Sequence, residues 1–168
     1  KLLRALNPDA DFARAGTEIL VADTGADPDG KVARIVVDKS EGEVFAFDEE
    51  DRILFSAPAT IGSQDTPSPT GEMKVNGSAR EPVYEYDPDR NFQQGENRKE
   101  LTIPAGPNGP VGIVWIDLAK PTYGIHGTPE PSQIDKTASH GCVRLTNWDA
   151  MALSAMVQPA RTMVKFQD

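Results

Sequence analysis

Short apolar runs of β-forming residues, separated by polar, glycine and proline punctuation, recur from Lys31 onward. Val32–Asp38, Glu43–Asp48 and Arg52–Ile61 are short β-type runs, rich in β-branched and aromatic residues, and turn residues separate them. They predict an antiparallel meander, with Ile53, Phe55 and Ala57 on one face of its third strand. Glu72–Val75, Val83–Tyr86, Leu101–Ile103 and Thr162–Phe166 predict further strands. Gly112–Leu118 is almost continuously apolar, which predicts a strand covered on both faces and places Trp115 in the core. Tyr123–Gly127 and Cys142–Leu145 predict two short strands. Between them, Pro67 and Pro69 stiffen the loop 67–71. The polar stretch Asp87–Glu100 reads as a surface loop or lid.

The period changes once. Trp148, Met151, Ala152, Ala155 and Met156 are spaced as one helical stripe and predict a helix that buries them. Asn147 is the expected cap, Asp149 suits the first turn, and Pro159 ends the helix. Lys1–Thr24 reads as a helix end, a turn and one strand, and the turn-rich segment 25–30 as a linker. The expected organisation is an N-terminal appendage over 1–30 and one domain over 31–168.

Hydrophobic residues make up 38% of the 168 positions, enough for one core, and 14 glycines with 14 prolines favour many turns over a helical bundle. The net charge of −9 disfavours a nucleic-acid partner and docking to an anionic membrane. No run approaches the ~18 apolar residues of a membrane span, so a spanning segment is not expected. The chain opens at Lys1, and the expectation is an excised or processed piece whose export signal was lost upstream. One cysteine permits no internal disulfide and does not fix the redox compartment.

The chemistry concentrates in one stretch. Both histidines and the lone cysteine fall between His126 and Cys142. A thiol titrating near ~8.5 needs a base, and imidazole is the usual one. His126, from a separate strand, is the better placed base. His140, two residues from Cys142, is given a shaping or oxyanion role. Gly141 leaves the backbone beside Cys142 open, and Ser139 and Thr137 can order the loop. Arg144 shares the face of Cys142 and can grip a substrate carboxylate; the alternative is structural pairing with a nearby carboxylate such as Asp149. Tyr123, three residues before His126, is a candidate at the mouth of the site.

His126-Gly127-Thr128 followed by Ser139-His140-Gly141-Cys142-Val143-Arg144-Leu145-Thr146-Asn147 resembles the L,D-transpeptidase catalytic domain, the YkuD-like family. Thr66–Gly71, Pro107–Ile116 and Tyr123–Ile125 extend the likeness, which covers about Lys31–Phe166. The resemblance implies a mainly β fold, a YkuD-like β-sandwich of mixed sheets with one principal helix after the cysteine strand. It implies Cys142 as nucleophile, His126 as its activator, the Gly127 carbonyl orienting that imidazole, and the Gly141 and Cys142 amides as oxyanion hole. Ser139, His140 and Arg144 would line the donor pocket.

It also implies action on peptidoglycan stem peptides in the periplasm or cell envelope. The bond between the third-position diamino acid and D-Ala would be cut, a thioester formed, and an amine acylated, without cofactor or metal. Carbapenems would trap Cys142. Two departures from the common family pattern are Arg144, where asparagine is usual, and Asp135, where glycine is expected beside the site. Leu6–Asp9, Gly16 and Ile19–Val21 resemble the tail of a LysM-type repeat, which implies contact with wall glycan.

Other readings remain open on the residues alone. The thioester could pass to water, giving an L,D-carboxypeptidase or an amidase. The domain could be a silent wall-binding module. His126, His140 and Cys142 could be zinc ligands, or the cysteine a buried hydrophobe.

Overall fold

The computed structural model describes residues 4, 6–21, 26–62, 66–89, 96–137 and 139–168. The strands are β1 (Arg34–Asp38), β2 (Glu43–Phe47), β3 (Ile53–Pro58), β4 (Gly71–Arg80), β5 (Tyr84–Tyr86), β6 (Leu101–Ile103), β7 (Val114–Leu118), β8 (Gly124–His126), β9 (Val143–Arg144) and β10 (Met163–Gln167). One helix, α1 (Asn147–Met156), follows β9. Eight strands form one mixed sheet in the order β3-β2-β1-β10-β4-β7-β8-β9, and β5 and β6 pair separately. The mainly β class, the meander and the principal helix after the cysteine strand are as expected.

β4 joins the two halves of this architecture. Gly71–Lys74 pairs with β10, and Val75–Arg80 pairs with β7 after a register shift between Val75 and Gly77. The sheet then curls until its two edges meet. Beyond β3, Thr60 bridges Arg144 of β9, and Gly62 bridges Ser139. The bonds are reciprocal: Thr60 N donates to Arg144 O, and Arg144 N to Thr60 O, both at 2.9 Å. Edge groups that would otherwise need water or another chain are satisfied along this seam.

A single apolar cluster fills the curl. Ile35, Val37, Val44, Val75, Val114, Ile116, Ile125, Val143, Leu145 and Leu153 are essentially inaccessible, and among the described residues no member of the cluster precedes Val32. α1 packs on β7 and β8.

Several elements differ from the sequence pattern. α1 buries Ala150, Leu153, Ser154 and Met156, while Trp148 is 74% exposed and Met151 lies at the surface. The strand that feeds the helix sets this phase. Leu145 is fixed in the core and its N–H donates to His126 O, so the next turn presents Ala150 to the sheet. The cap is Thr146, whose Oγ1 accepts from Asp149 N at 3.2 Å; Asn147 is employed elsewhere. Ile53 is 60% exposed because β3 carries an extra residue opposite Ala46 and Phe47, and beyond that bulge the alternation flips.

Ile19–Val21 is not a strand. The side-chain amide of Asn7 takes both the N–H and the C=O of Leu20, at 2.6 and 2.7 Å, where a neighbouring strand would. Part of the expected N-terminal strand and linker (22–25) and of the expected lid (90–95) lies outside the described residues.

The end of α1 is tied to the start of β1 through Thr162, which is fully buried. Its Oγ1 donates to Val32 O at 2.6 Å and accepts from Gln158 N at 2.8 Å. Thr162→Val keeps the shape but strands both partners. It is expected to cost about 1–3 kcal/mol, read as a lower urea midpoint with an unchanged slope.

Candidate active site

The site is a consequence of register. Trp115 of β7 lies opposite His126 of β8, and His126 lies opposite Arg144 of β9. Residues opposite each other on neighbouring strands project to one face, so these three side chains form a row. Cys142, two residues before Arg144, shares that face. A cavity of about 490 Å³ opens there, lined by Cys142, His126, His140, Arg144 and Trp115, with Thr66, Tyr84, Pro110, Val111 and Thr122 completing the wall.

His126 is 4% exposed and its ring stacks on Trp115, with centroids 5.4 Å apart. Nδ1 lies 2.7 Å from the Gly127 carbonyl oxygen. A carbonyl only accepts, so Nδ1 carries the proton and Nε2 keeps a lone pair. Gly127 is itself confined: a Cβ there would come within 2.1 Å of Asn147 Oδ1. Asn147 accepts from Ile113 N at 3.2 Å and donates to Pro107 O at 3.3 Å, which ties the 107–113 loop to the start of α1.

The turn that carries the sulfur is pinned from both sides. Ser139 Oγ donates to Cys142 O at 2.5 Å and accepts from Gly141 N at 3.0 Å. Gly141 has φ +106°, and a Cβ would meet the Tyr123 ring at 2.7 Å. From the proline loop, Thr66 Oγ1 donates to Ser139 O and Ser68 Oγ to Gly141 O, both at 2.8 Å. The Cys142 thiol is half-buried and faces Thr122 O at 3.6 Å.

Residues 32–165 match the YkuD L,D-transpeptidase catalytic domain. The chain belongs to this family. It is 32% identical over 143 residues to a Bacillus licheniformis protein named as L,D-transpeptidase YkuD, covering 85% of this chain and 70% of that one. It is 28% identical over 169 residues to an Escherichia coli K12 protein named as L,D-transpeptidase YbiS, covering 96% of this chain and 54% of that one. The fold is similar to L,D-transpeptidase 3 from Mycobacterium tuberculosis, solved in complex with a faropenem-derived adduct. The TM-score is 0.61 at 17% identity, covering 83% of this chain and 61% of that one. Members of this family are acyltransferases.

Within this L,D-transpeptidase domain the expected site residues separate into three groups. Cys142, His126, His140 and Arg144 face one cavity, with His140 exposed. Gly127 supplies its carbonyl to His126. Ser139, Gly141 and Tyr123 take other places. Ser139 is 2% exposed and staples the turn from behind, so it orders the loop and does not line the pocket. The Gly141 amide is spent on Ser139 Oγ, which removes it as an oxyanion donor. Strand alternation gives the cavity face to Gly124 and His126, so Tyr123 turns behind Gly141, where Lys120 Nζ sits 4.3 Å from its ring centroid. Trp115 is moved the other way, from expected core to cavity wall. Asp135 adopts φ +60°, so an aspartate occupies the left-handed position for which glycine was expected.

Tyr84 and Thr122 were not singled out in the sequence. Tyr84 reaches the cavity from β5, distant in the chain, and its phenol is pushed up by burial and then by the nearby Cys142. A positive φ of +71° at Thr122 turns its carbonyl to the sulfur, and no local pattern marks it.

The electrostatics describe a resting neutral pair. The His126 pKa is lowered to about 4, chiefly by burial and also by Arg144, against the opposing effect of the hydrogen bond to the Gly127 carbonyl. Burial raises the Cys142 thiol, while the Gly124 amide and Arg144 act to lower it. At neutral pH the site holds a thiol beside an unprotonated imidazole. Arg144 makes no ion pair among the described residues, and Asp149 is instead bonded to Thr146. Among the described residues no group of three His, Cys, Asp or Glu is arranged to hold a metal ion, and no helix is long and apolar enough to cross a membrane.

Alkylation of Cys142 by iodoacetamide is therefore expected to keep accelerating with pH through the ordinary thiol range near ~8.5. A rate already flat near neutrality would mean a preformed thiolate–imidazolium pair. Arg144→Gln removes a cation that favours the thiolate, so its profile is expected to move to higher pH.

Proposed function

We propose that this protein is a peptidoglycan L,D-transpeptidase of the cell envelope that works through a Cys142 thioester. The observation that carries the reading is the imidazole of His126, unprotonated at Nε2, sharing one cavity with the half-buried Cys142 thiol.

His126 Nε2 takes the thiol proton as sulfur attacks the carbonyl carbon between the third-position diamino acid and D-Ala of a tetrapeptide stem. The charge that develops on the carbonyl oxygen faces the Cys142 amide, which has no acceptor among the described residues. The C–N bond then breaks, the imidazolium returns the proton to the departing D-Ala amine, and a thioester remains. An acceptor amine attacks the thioester, His126 takes its proton, and the thiol re-forms with that proton. The result is a 3-3 crosslink or an anchored protein.

Arg144, on the cavity wall and without an ion pair among the described residues, is suited to a carboxylate of the stem. His140 lines the same cavity and contributes to its shape. Burial serves this chemistry in two ways. It keeps the base neutral at the pH where it must accept a proton, and it strengthens each charge–dipole contact in the transition state. The mechanism asks for no cofactor. A role for the N-terminal segment against wall glycan belongs to the same proposal and rests on its resemblance to a LysM-type repeat.

Incubation with a carbapenem is expected to add the whole mass of the drug, because opening a lactam ring releases no leaving group. Cys142→Ala should show no adduct. His126→Ala should slow acylation by roughly 100- to 10,000-fold, the usual worth of a general base. An adduct that persists in Cys142→Ala, or a wild-type chain that never gains mass, would overturn the reading. With purified stem peptides, crosslinked dimers are expected; shortened monomers alone would assign the thioester to hydrolysis.

A further inference from the structure

We propose that Ser68 is a positioning residue for acyl transfer: its hydroxyl holds the Gly141–Cys142 peptide so that the Cys142 N–H points at the oxyanion. The assignment rests on the acyl-transfer reading above and adds a residue to it from outside the His126–Asn147 motif.

Ser68 is 4% exposed, in the loop between Pro67 and Pro69, whose rings fix their backbone angles. Its Oγ accepts from Gly62 N at 3.0 Å and donates to Gly141 O at 2.8 Å. The first bond decides the second. With Gly62 supplying a proton to the oxygen, the single hydroxyl proton is free to go to the carbonyl of Gly141.

A trans peptide is planar, with C=O and N–H pointing in opposite directions. Fixing Gly141 O therefore fixes the Cys142 N–H, aimed away from the proline loop. Without such a clamp this peptide would be the least constrained of the turn, because Gly141 tolerates backbone angles closed to other residues. The neighbouring amide, Gly141 N, is already held by Ser139 Oγ, so Cys142 N is the amide of this turn left for substrate. A hydrogen bond to a carbonyl also polarises the N–H of the same peptide and makes it a stronger donor. Gly62 lets the loop approach this closely, since a Cβ there would lie 2.3 Å from Ser68 N.

The test separates oxyanion stabilisation from thiol reactivity. Acylation by a carbapenem passes through a tetrahedral oxyanion, whereas alkylation by iodoacetamide is a direct displacement that forms none. In Ser68→Ala, acylation followed by intact mass is expected to slow by roughly 10- to 100-fold, a part of what losing one oxyanion donor costs, with alkylation little changed. Ser68→Thr, which keeps the hydroxyl, is expected to acylate at close to the wild-type rate. Equal loss of acylation and alkylation in Ser68→Ala would mean a general collapse of the turn and overturn the assignment. So would unchanged acylation, or a Ser68→Thr variant as slow as Ser68→Ala. Wild-type protein inert to the carbapenem would remove the proposed function and this assignment together, whereas acylation of wild type and Ser68→Ala at one rate would remove this assignment alone.

Discussion

The two-residue strand β9 is held on both sides by backbone hydrogen bonds, and everything at the site hangs from it. On one side it lies parallel to β8, with Leu145 N donating to His126 O. On the other, Arg144 exchanges both of its backbone bonds with Thr60 at the far edge of the sheet. A strand of two residues has little stability of its own. Clamped at the seam of a curled sheet, it becomes a rigid mount. It fixes where Cys142 enters, where Arg144 points, and the phase of the helix that begins immediately afterwards.

From that mount the site acquires a layered support. His126 is oriented by the Gly127 carbonyl, Gly127 is crowded by Asn147, and Asn147 is bonded to the loop over 107–113. The sulfur-bearing turn is stapled by Ser139 and clamped by Thr66 and Ser68. These contacts satisfy buried polar groups that would otherwise be costly, and among the described residues the Cys142 amide and the His126 Nε2 have no hydrogen-bond partner. Burial of the imidazole lowers its pKa and burial of the thiol raises its own, so both groups are held uncharged near neutral pH.

Much of this was legible in the order of residues. The β1–β2–β3 meander, the strand at Val114–Leu118 and the helix after the cysteine strand all follow from period and punctuation. The reagents, Cys142 with His126, stood out because the chain has so few candidates. Resemblance to the YkuD-like family added the orienting role of the Gly127 carbonyl. The misplaced residues share a cause. Trp148 and Met151 on α1 fit a helical stripe as well as Ala150, Leu153 and Ser154 do, and periodicity cannot choose between two stripes of one helix. Ile53 obeys an alternation that a bulge interrupts. Trp115 looks like core because one face of its strand is core and the other is the wall of a cavity.

The sequence by itself determined the chemical identity of the centre: one thiol, one imidazole on a separate strand, and a glycine turn that lets the backbone bend beside the sulfur. These are matters of composition and local conformation, which neighbouring residues decide. The tertiary structure alone decided which polar side chains face the cavity and which brace it, which amide of the sulfur-bearing turn is already bonded, and that loop 66–69 supports that turn. Those depend on the pairing of Thr60 with Arg144 and of Ser68 with Gly141, contacts between residues more than seventy positions apart. Hydrogen bonds at that separation are set by how the sheet closes on itself, and no local pattern encodes the closure.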